Sequence, residues 1–339
     1  MKKIFIFYYE FRNTSGNHCG MAYFARKLKQ NIGLDVKLIR IPQNYAKFRE
    51  ILKKIWRRAT IKLTARKSRP EDVFFFMEYI NPSQVPGDHC TIVEEMRRQG
   101  IQNKMVGLVH LPPQILVDTL GEEYIKNAAE RIDRILVMGS NLTEMFTRMG
   151  FKEKVVWTFH YVDTGYYRPV REEQKHDKFT VFCSGYLFRN PEKLKEIISR
   201  CPDVTFDLCM GMKDLKSLFG QIPNVILNGF LKEEEMLRYM QKAHVSLSVF
   251  DDMVASNVIL TSLSCGLPQV VSDEGAVRDY CSEENTVFCK TVEDFIEAIY
   301  SIKKDPDKRL RMGHHARIQA EKISMENSIR WYRDFFELI

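Results

Sequence analysis

No uninterrupted apolar run in these 339 residues approaches the roughly 20 that a helix needs to cross a bilayer. The start, MKKIFIFYYEF, meets charge and aromatic rings too early for an export signal and has no small-residue cleavage site, so it reads as a first buried strand. Cysteines at CxxC spacing are missing as well. The eight present, at positions 19, 90, 183, 201, 209, 265, 281 and 289, are scattered. That excludes a zinc knuckle and a secreted disulfide framework, and it fits a reducing cytoplasm. Repeats at solenoid periods and low-complexity tracts are also lacking. Basic residues are not interleaved with aromatics over several elements, as nucleic-acid binding would ask, so no nucleic-acid partner is expected.

What the chain does have is core-forming material, with 45% apolar and 28% charged residues. Its length exceeds the usual limit of one core, so two domains are expected. β-rich runs (KIFIFYY, DVKLIRI, DVFFFMEY, KMVGLVH, RILVMGS, VVWTFHY) alternate with helical patterns up to about residue 160. Such alternation implies parallel strands with crossover helices on both faces of a sheet. VDTGYYRPVREEQKHDK then interrupts the period with Pro169 and a charge run, after which FTVFCSGY, VTFDLCMG, NVILNGF, VSLSVF and PQVVSDE restart it. The expected architecture is α/β: two doubly wound, Rossmann-like domains over 1–165 and 166–322, with a cleft at the carboxyl ends of their strands. SMENSIRWYRDFFELI reads as an amphipathic helix starting after Ser324, and residues 323–339 are expected to pack back towards the N-terminal domain.

The net charge of +7 is concentrated in one place. Residues 44–69 hold ten Lys/Arg and one Glu, so the rest of the chain is slightly acidic. On a helical wheel Phe48, Leu52, Ile55, Ala59 and Leu63 make one stripe, with Trp56 at its border and Lys53, Lys54, Arg57 and Arg58 outside it. Two readings stay open: the stripe packs on the sheet with the charges in water, or the helix lies on anionic lipid. The second would make the protein peripheral at the inner face of the cell membrane.

From residue 131 onward the chain resembles a known family. RIDRILVMGSNLTEMFTRMGFKEKVVWTFHYVDTGYYRP, NVILNGFLKEEEMLRYMQKAHVSLSVF, SCGLPQVVSDEGAVRDY and DPDKRLRMGHHAR are similar, in order and spacing, to retaining GT-B glycosyltransferases, the family 4-like group that includes many bacterial cell-surface sugar transferases. Tyr161, Val162, Asp163, Tyr167 and Pro169 fit its Gly-Val-Asp-x-x-x-Phe-x-Pro segment with Tyr in the first place. The resemblance implies a GT-B fold and a sugar moved from a nucleotide-sugar donor to a saccharide or lipid-linked acceptor, in surface polysaccharide or glycolipid synthesis.

It also implies site residues. Asn228, Gly229 and Phe230 would lie near the base. Asp251 to Thr261 would surround sugar, phosphates and ribose. Where the family has two glutamates eight apart, this chain has Met253, with Asp252 beside it, and Thr261. One hydroxyl cannot hold two ribose hydroxyls as a carboxylate does. Ser256, Asn257 and Val258 would open a helix whose free N–H groups suit phosphate oxygens, or Ser256 simply caps it. Where the family has Gly-Arg-Leu and then Lys, this chain reads SGYLFRNPEK: Gly185 is kept, Tyr186 and Pro191 replace the cations, and Arg189 and Lys193 stand nearby. Arg189 is the expected partner of the leaving diphosphate, because a guanidinium meets two oxygens at once.

On the acceptor side, His110 ends a strand and is expected to touch the reacting sugar, as a His often does in the related enzymes. Gly16, His18 and Glu78 are candidates for the acceptor, and Gly20 shares the same βα turn. Asp251-Asp252 is not a DxD pair, so neither a metal nor any other cofactor is implied. The resemblance implies retention of configuration by front-face departure, with His110, Arg189 and Asp252 closest to the chemistry. The competing reading is a catalytically silent GT-B subunit that binds carbohydrate or assists a partner enzyme. A phosphorylase or epimerase finds no lysine-cofactor or paired-carboxylate signature here.

Overall fold

Strands as uniformly apolar as KIFIFY and VFFF must be covered on both faces. In the computed structural model, which describes residues 2–11, 17–42, 49–81, 88–185, 188–209, 211 and 214–339, both lie inside an all-parallel sheet. This first sheet contains β1 (Lys3–Tyr8), β2 (Asp35–Arg40), β3 (Val73–Phe76), β4 (Lys104–Val109), β5 (Arg134–Val137) and β6 (Val155–Trp157), in the order β2-β1-β3-β4-β5-β6. Its helices are α1 (Met21–Asn31), α2 (Arg49–Lys67), α3 (Asp88–Arg98), α4 (Pro113–Leu120), α5 (Glu122–Glu130) and α6 (Ser140–Arg148).

The second sheet contains β7 (Thr180–Ser184), β8 (Thr205–Cys209), β9 (Val225–Asn228), β10 (Val245–Ser248), β11 (Gln269–Ser272) and β12 (Thr286–Cys289), also all parallel, in the order β12-β11-β10-β7-β8-β9. Around it run α7 (Pro191–Ser199), α8 (Lys216–Phe219), α9 (Glu233–Lys242), α10 (Asn257–Ser264), α11 (Val292–Lys304) and α12 (Pro306–Lys322). The expected fold class is the one observed. In each sheet the strand order reverses once, at β1/β3 and at β7/β10. Loops at the carboxyl ends of such a pair diverge and leave room for a ligand.

The chain divides into two units, Met1–His160 with Glu326–Ile339, and Tyr161–Met325. The first division falls earlier than residue 165 because the Tyr161–Tyr167 segment is bonded into the second unit. The Tyr167 hydroxyl donates to Glu233 Oε1 at 2.7 Å, and the Tyr167 carbonyl accepts from Ser264 Oγ at 2.7 Å and Arg317 Nη1 at 3.0 Å. Val162 N donates to the Ile323 carbonyl (3.0 Å) and the Val162 carbonyl accepts from Met325 N (2.9 Å), so the segments entering and leaving this unit run side by side. The last helix, α13 (Met325–Leu338), belongs to the first unit, where Tyr332 and Phe336 are buried against Phe75 and Tyr332 also meets Phe24.

Of the two open readings of α2, the one in which its apolar stripe packs on the sheet is overturned. Leu52, Ile55 and Leu63 are 64%, 60% and 53% exposed, and Ala59 is exposed too. The buried side is Ile61 and Thr64, with Arg57 turned inward so that its Nε and Nη2 meet Glu95 Oε1 at 3.0 and 2.9 Å. Arg57 is therefore not one of the outward cations, and Trp56 is half-buried. Phe48 lies outside the described residues.

Candidate functional site

The second unit's site starts at its switch point. β7 is followed by Gly185, whose φ of 83° suits glycine. The next described residues run back along β10: Asp251 N donates to the Phe188 carbonyl and Asn190 N to the Val249 carbonyl, both at 3.1 Å, and Arg189 bridges Phe250. The Arg189 guanidinium then sits 5.4 Å from the Phe250 ring centre and close enough to Gly185 that a Cβ there would stand 3.5 Å from Nε. Its Nη2 donates to Ser256 Oγ over a long 3.4 Å, and its Nε is buried without a partner among the described residues. No carboxylate among them pairs with it. Burial pulls its pKa down to about 10. A half-buried cation that keeps its charge without a counterion is set up to receive an anion.

Ser256 completes that arrangement. Its backbone is extended and precedes α10, but its hydroxyl does not cap the helix and faces Arg189 instead. The first-turn amides of α10, from Asn257 and Val258, have no intrahelical acceptor, and the helix dipole adds positive potential there. Asn257 is exposed. Asp252 is half-buried beside them. Burial raises its pKa, the Met253 amide lowers it, and Glu274 raises it again. This loop depends on Gly275, a residue that sequence reasoning did not single out: φ is 59°, and a Cβ would come within 2.3 Å of the Met253 carbonyl and 2.6 Å of Asp252 Oδ1. The only signal was its place in the SDEGAV segment.

Other expected donor residues are placed differently. Thr261 is buried, and its hydroxyl donates back to the Asn257 carbonyl at 2.7 Å, so its proton is spent inside the helix. Lys193 turns its ammonium to the Lys290 carbonyl at 2.6 Å and over the Phe295 ring, so it is a strap between α7 and the end of β12 and not a free cation. Pro191 opens α7, where a missing N–H does no harm. Met253 is buried. At the end of β9, Asn228 directs its amide to the Cys209 sulfur (3.9 Å) and the Ile226 carbonyl, a Cβ on Gly229 would meet nothing within 4 Å, and Phe230 is 57% exposed. Tyr186 lies outside the described residues.

The first unit gathers a separate group at the carboxyl ends of β3 and β4. Glu78 has a left-handed φ of 59° and is held there by its neighbour: the Tyr79 ring covers Gly107, where a Cβ would stand 2.6 Å away, and the Tyr79 hydroxyl donates to the Ala128 carbonyl at 2.8 Å. Glu78 Oε1 lies 3.9 Å from His110 Nε2, and Oε2 is buried with no partner among the described residues. Burial pushes the Glu78 carboxyl up to about 8 and, with the nearby His160, the His110 imidazole down to about 4. Both groups are thus neutral near pH 7. His18, half-buried with its ring 5.2 Å from Tyr23, belongs to the β1–α1 turn, whose Gly20 has a φ of 88°. Gly16 lies outside the described residues.

Residues 178–305 match the family model for glycosyl transferases group 1. That match lies wholly within the second unit. The whole chain has the GT-B fold of several solved structures. Sucrose-phosphate synthase from Thermosynechococcus elongatus superposes with a TM-score of 0.79 at 14% identity, covering 100% of both chains. HepE from Anabaena, in complex with UDP and glucose, gives 0.74 at 14% identity, again over 100% of both chains. The lipopolysaccharide outer core galactosyltransferase WaaB gives 0.70 at 12% over the same full coverage. No curated protein matches the sequence. In the second unit, the Arg189 and α10 site stands within the matched residues, where β7 and β10 diverge.

Proposed function

We propose that the protein is a glycosyltransferase that takes a sugar from a nucleoside diphosphate and passes it to a saccharide or lipid-linked acceptor in bacterial surface polysaccharide or glycolipid synthesis. The observation that carries this reading is Arg189, a half-buried guanidinium with no carboxylate among the described residues, beside the unpaired amides that open α10. A diphosphate would supply the missing negative charge, bound more tightly as the bond to the sugar breaks and charge builds on the leaving oxygen. Phe230 offers an exposed aromatic face for the base, and Asp252 a carboxylate for the sugar hydroxyls. The anomeric configuration is retained and no metal takes part. The HepE complexes with UDP and with UDP-glucose, on the same fold, favour a uridine donor.

Nucleotide binding measured by calorimetry with UDP and GDP tests this. Wild type binds one of them, Arg189→Ala weakens binding by at least ten-fold, and Arg189→Lys falls between. Equal binding by wild type and Arg189→Ala would overturn the site. A second reading, a silent subunit, is favoured by Thr261 and Lys193, whose polar groups are spent on the fold. It gives tight saccharide binding with no nucleotide release from any donor sugar.

A further inference from the structure

We propose that the outward face of α2, with the groove beside it, docks the protein onto a bilayer that carries anionic phospholipid. This goes beyond sugar transfer and does not depend on it. The face opposite the buried Ile61 and Thr64 and the half-buried Arg57 carries Ile51, Leu52, Ile55 and Leu63, exposed by 65%, 64%, 60% and 53%. A helix burying its apolar side against its own sheet would do the reverse. Four large aliphatic side chains in water along one helix are a surface awaiting a partner.

The chemistry of that partner follows from the cations among them. Lys54, Arg58, Lys62 and Arg66 are all exposed on α2, and among the described residues none has an acidic partner. Against a neutral protein surface these charges would lose water for nothing. At the headgroup level of a leaflet the aliphatic side chains enter the acyl boundary while the ammonium and guanidinium groups reach lipid phosphates. Nucleic acid would satisfy the cations and leave the aliphatic side chains in water. The neighbouring groove, about 450 Å³, offers the same mixture of apolar and cationic groups to a lipid. Between α2 and the edge strand β2, its lining joins the cations Lys3, Lys37 and Lys67 to the apolar Phe5, Ile39 and Leu63, among others. Lys3 Nζ donates to the neutral Lys67 carbonyl at the helix end (3.3 Å), and Lys37 pairs with Asp35 (2.8 Å), which leaves Lys3 and Lys67 as groove cations with no acidic partner among the described residues.

Vesicle co-sedimentation tests this, with phosphatidylcholine alone and with roughly one third phosphatidylglycerol. The full chain is expected to bind the anionic vesicles, not the neutral ones, and to release them as salt rises. Ile55→Asp and Leu52→Asp should abolish binding. Lys62→Gln and Arg66→Gln should each weaken it roughly five-fold. All four side chains are in water, so melting temperatures should stay at the wild-type value, and the Gln variants keep the test decisive if an Asp variant melts early. No binding by wild type, equal binding to neutral vesicles, or full binding by Ile55→Asp would each overturn the proposal. A concentration-dependent dimer that Ile55→Asp dissolves would assign the face to a second copy of this chain, and would overturn it as well.

Discussion

Glu78 is a carboxylic acid buried away from solvent, with no lysine or arginine beside it among the described residues, in a backbone conformation that side chains disfavour. Such a position is retained only where the surroundings enforce it, here by the Tyr79 ring over Gly107. Its folded pKa of about 8 lies above the ordinary carboxylate value, so the folded state holds a proton that the unfolded chain releases. Stability from this group is whole at acid pH and declines as pH rises from the unfolded value towards 8, then levels off. A tenfold difference in proton affinity between the folded and unfolded chain is worth about 1.4 kcal/mol, so the loss is of the order of a few kcal/mol. His89 and His110, pushed down to about 3 and about 4 by burial, act in the opposite sense and gain stability as pH rises towards the ordinary histidine value. Glu78→Gln isolates the carboxyl. Its melting temperature should draw ahead of wild type between pH 5 and pH 8 and run parallel above that, in differential scanning calorimetry; a constant offset would mean that Glu78 is ionised in the folded protein.

At the scale of elements, α10 carries the amide end of the site, and its seat is set by two glycines. Gly266, at φ 70°, follows the helix, and a Cβ on Gly313 of α12 would stand 2.6 Å from the Gly266 carbonyl. Gly313→Ala should cost roughly 1–3 kcal/mol in urea unfolding and weaken nucleotide binding through displacement of α10. The strands and most helices were legible in the sequence because a buried parallel strand is apolar throughout and a covering helix has one apolar side. α4 was not: its Leu-Pro-Pro start looks like a turn, yet Pro113 is tolerated at a first helical position. Which way the apolar stripe of α2 faces stayed open in the sequence, because the stripe is genuine and suits either direction. On the inward side Arg57 pairs with Glu95, a residue far along the chain, beside the buried Ile61 and Thr64. The fates of Thr261 and Lys193 were hidden for a similar reason, since each spends its polar atom on a backbone carbonyl that no motif displays. Arg189 was visible as a nearby cation, but its lack of a counterion was not.

For the whole molecule, the second unit has its own uninterrupted core, from Val181 and Phe206 through Val245 and Val270 to Ile299 and Met312. A fragment of residues 161–325 should therefore fold by itself, with one cooperative calorimetric transition, and keep the nucleotide affinity of the full chain. A fragment that melts without cooperativity would show that the core needs the rest of the sequence.

The pairing of Val162 with Ile323 and Met325 gives that fragment an unusual freedom. Its beginning and end are already neighbours, so the second unit is an insert spliced through one doorway into the first. Joining the two ends with a short peptide and opening the chain at an exposed turn elsewhere would yield a rearranged domain with the same sheet, one that can be moved between hosts.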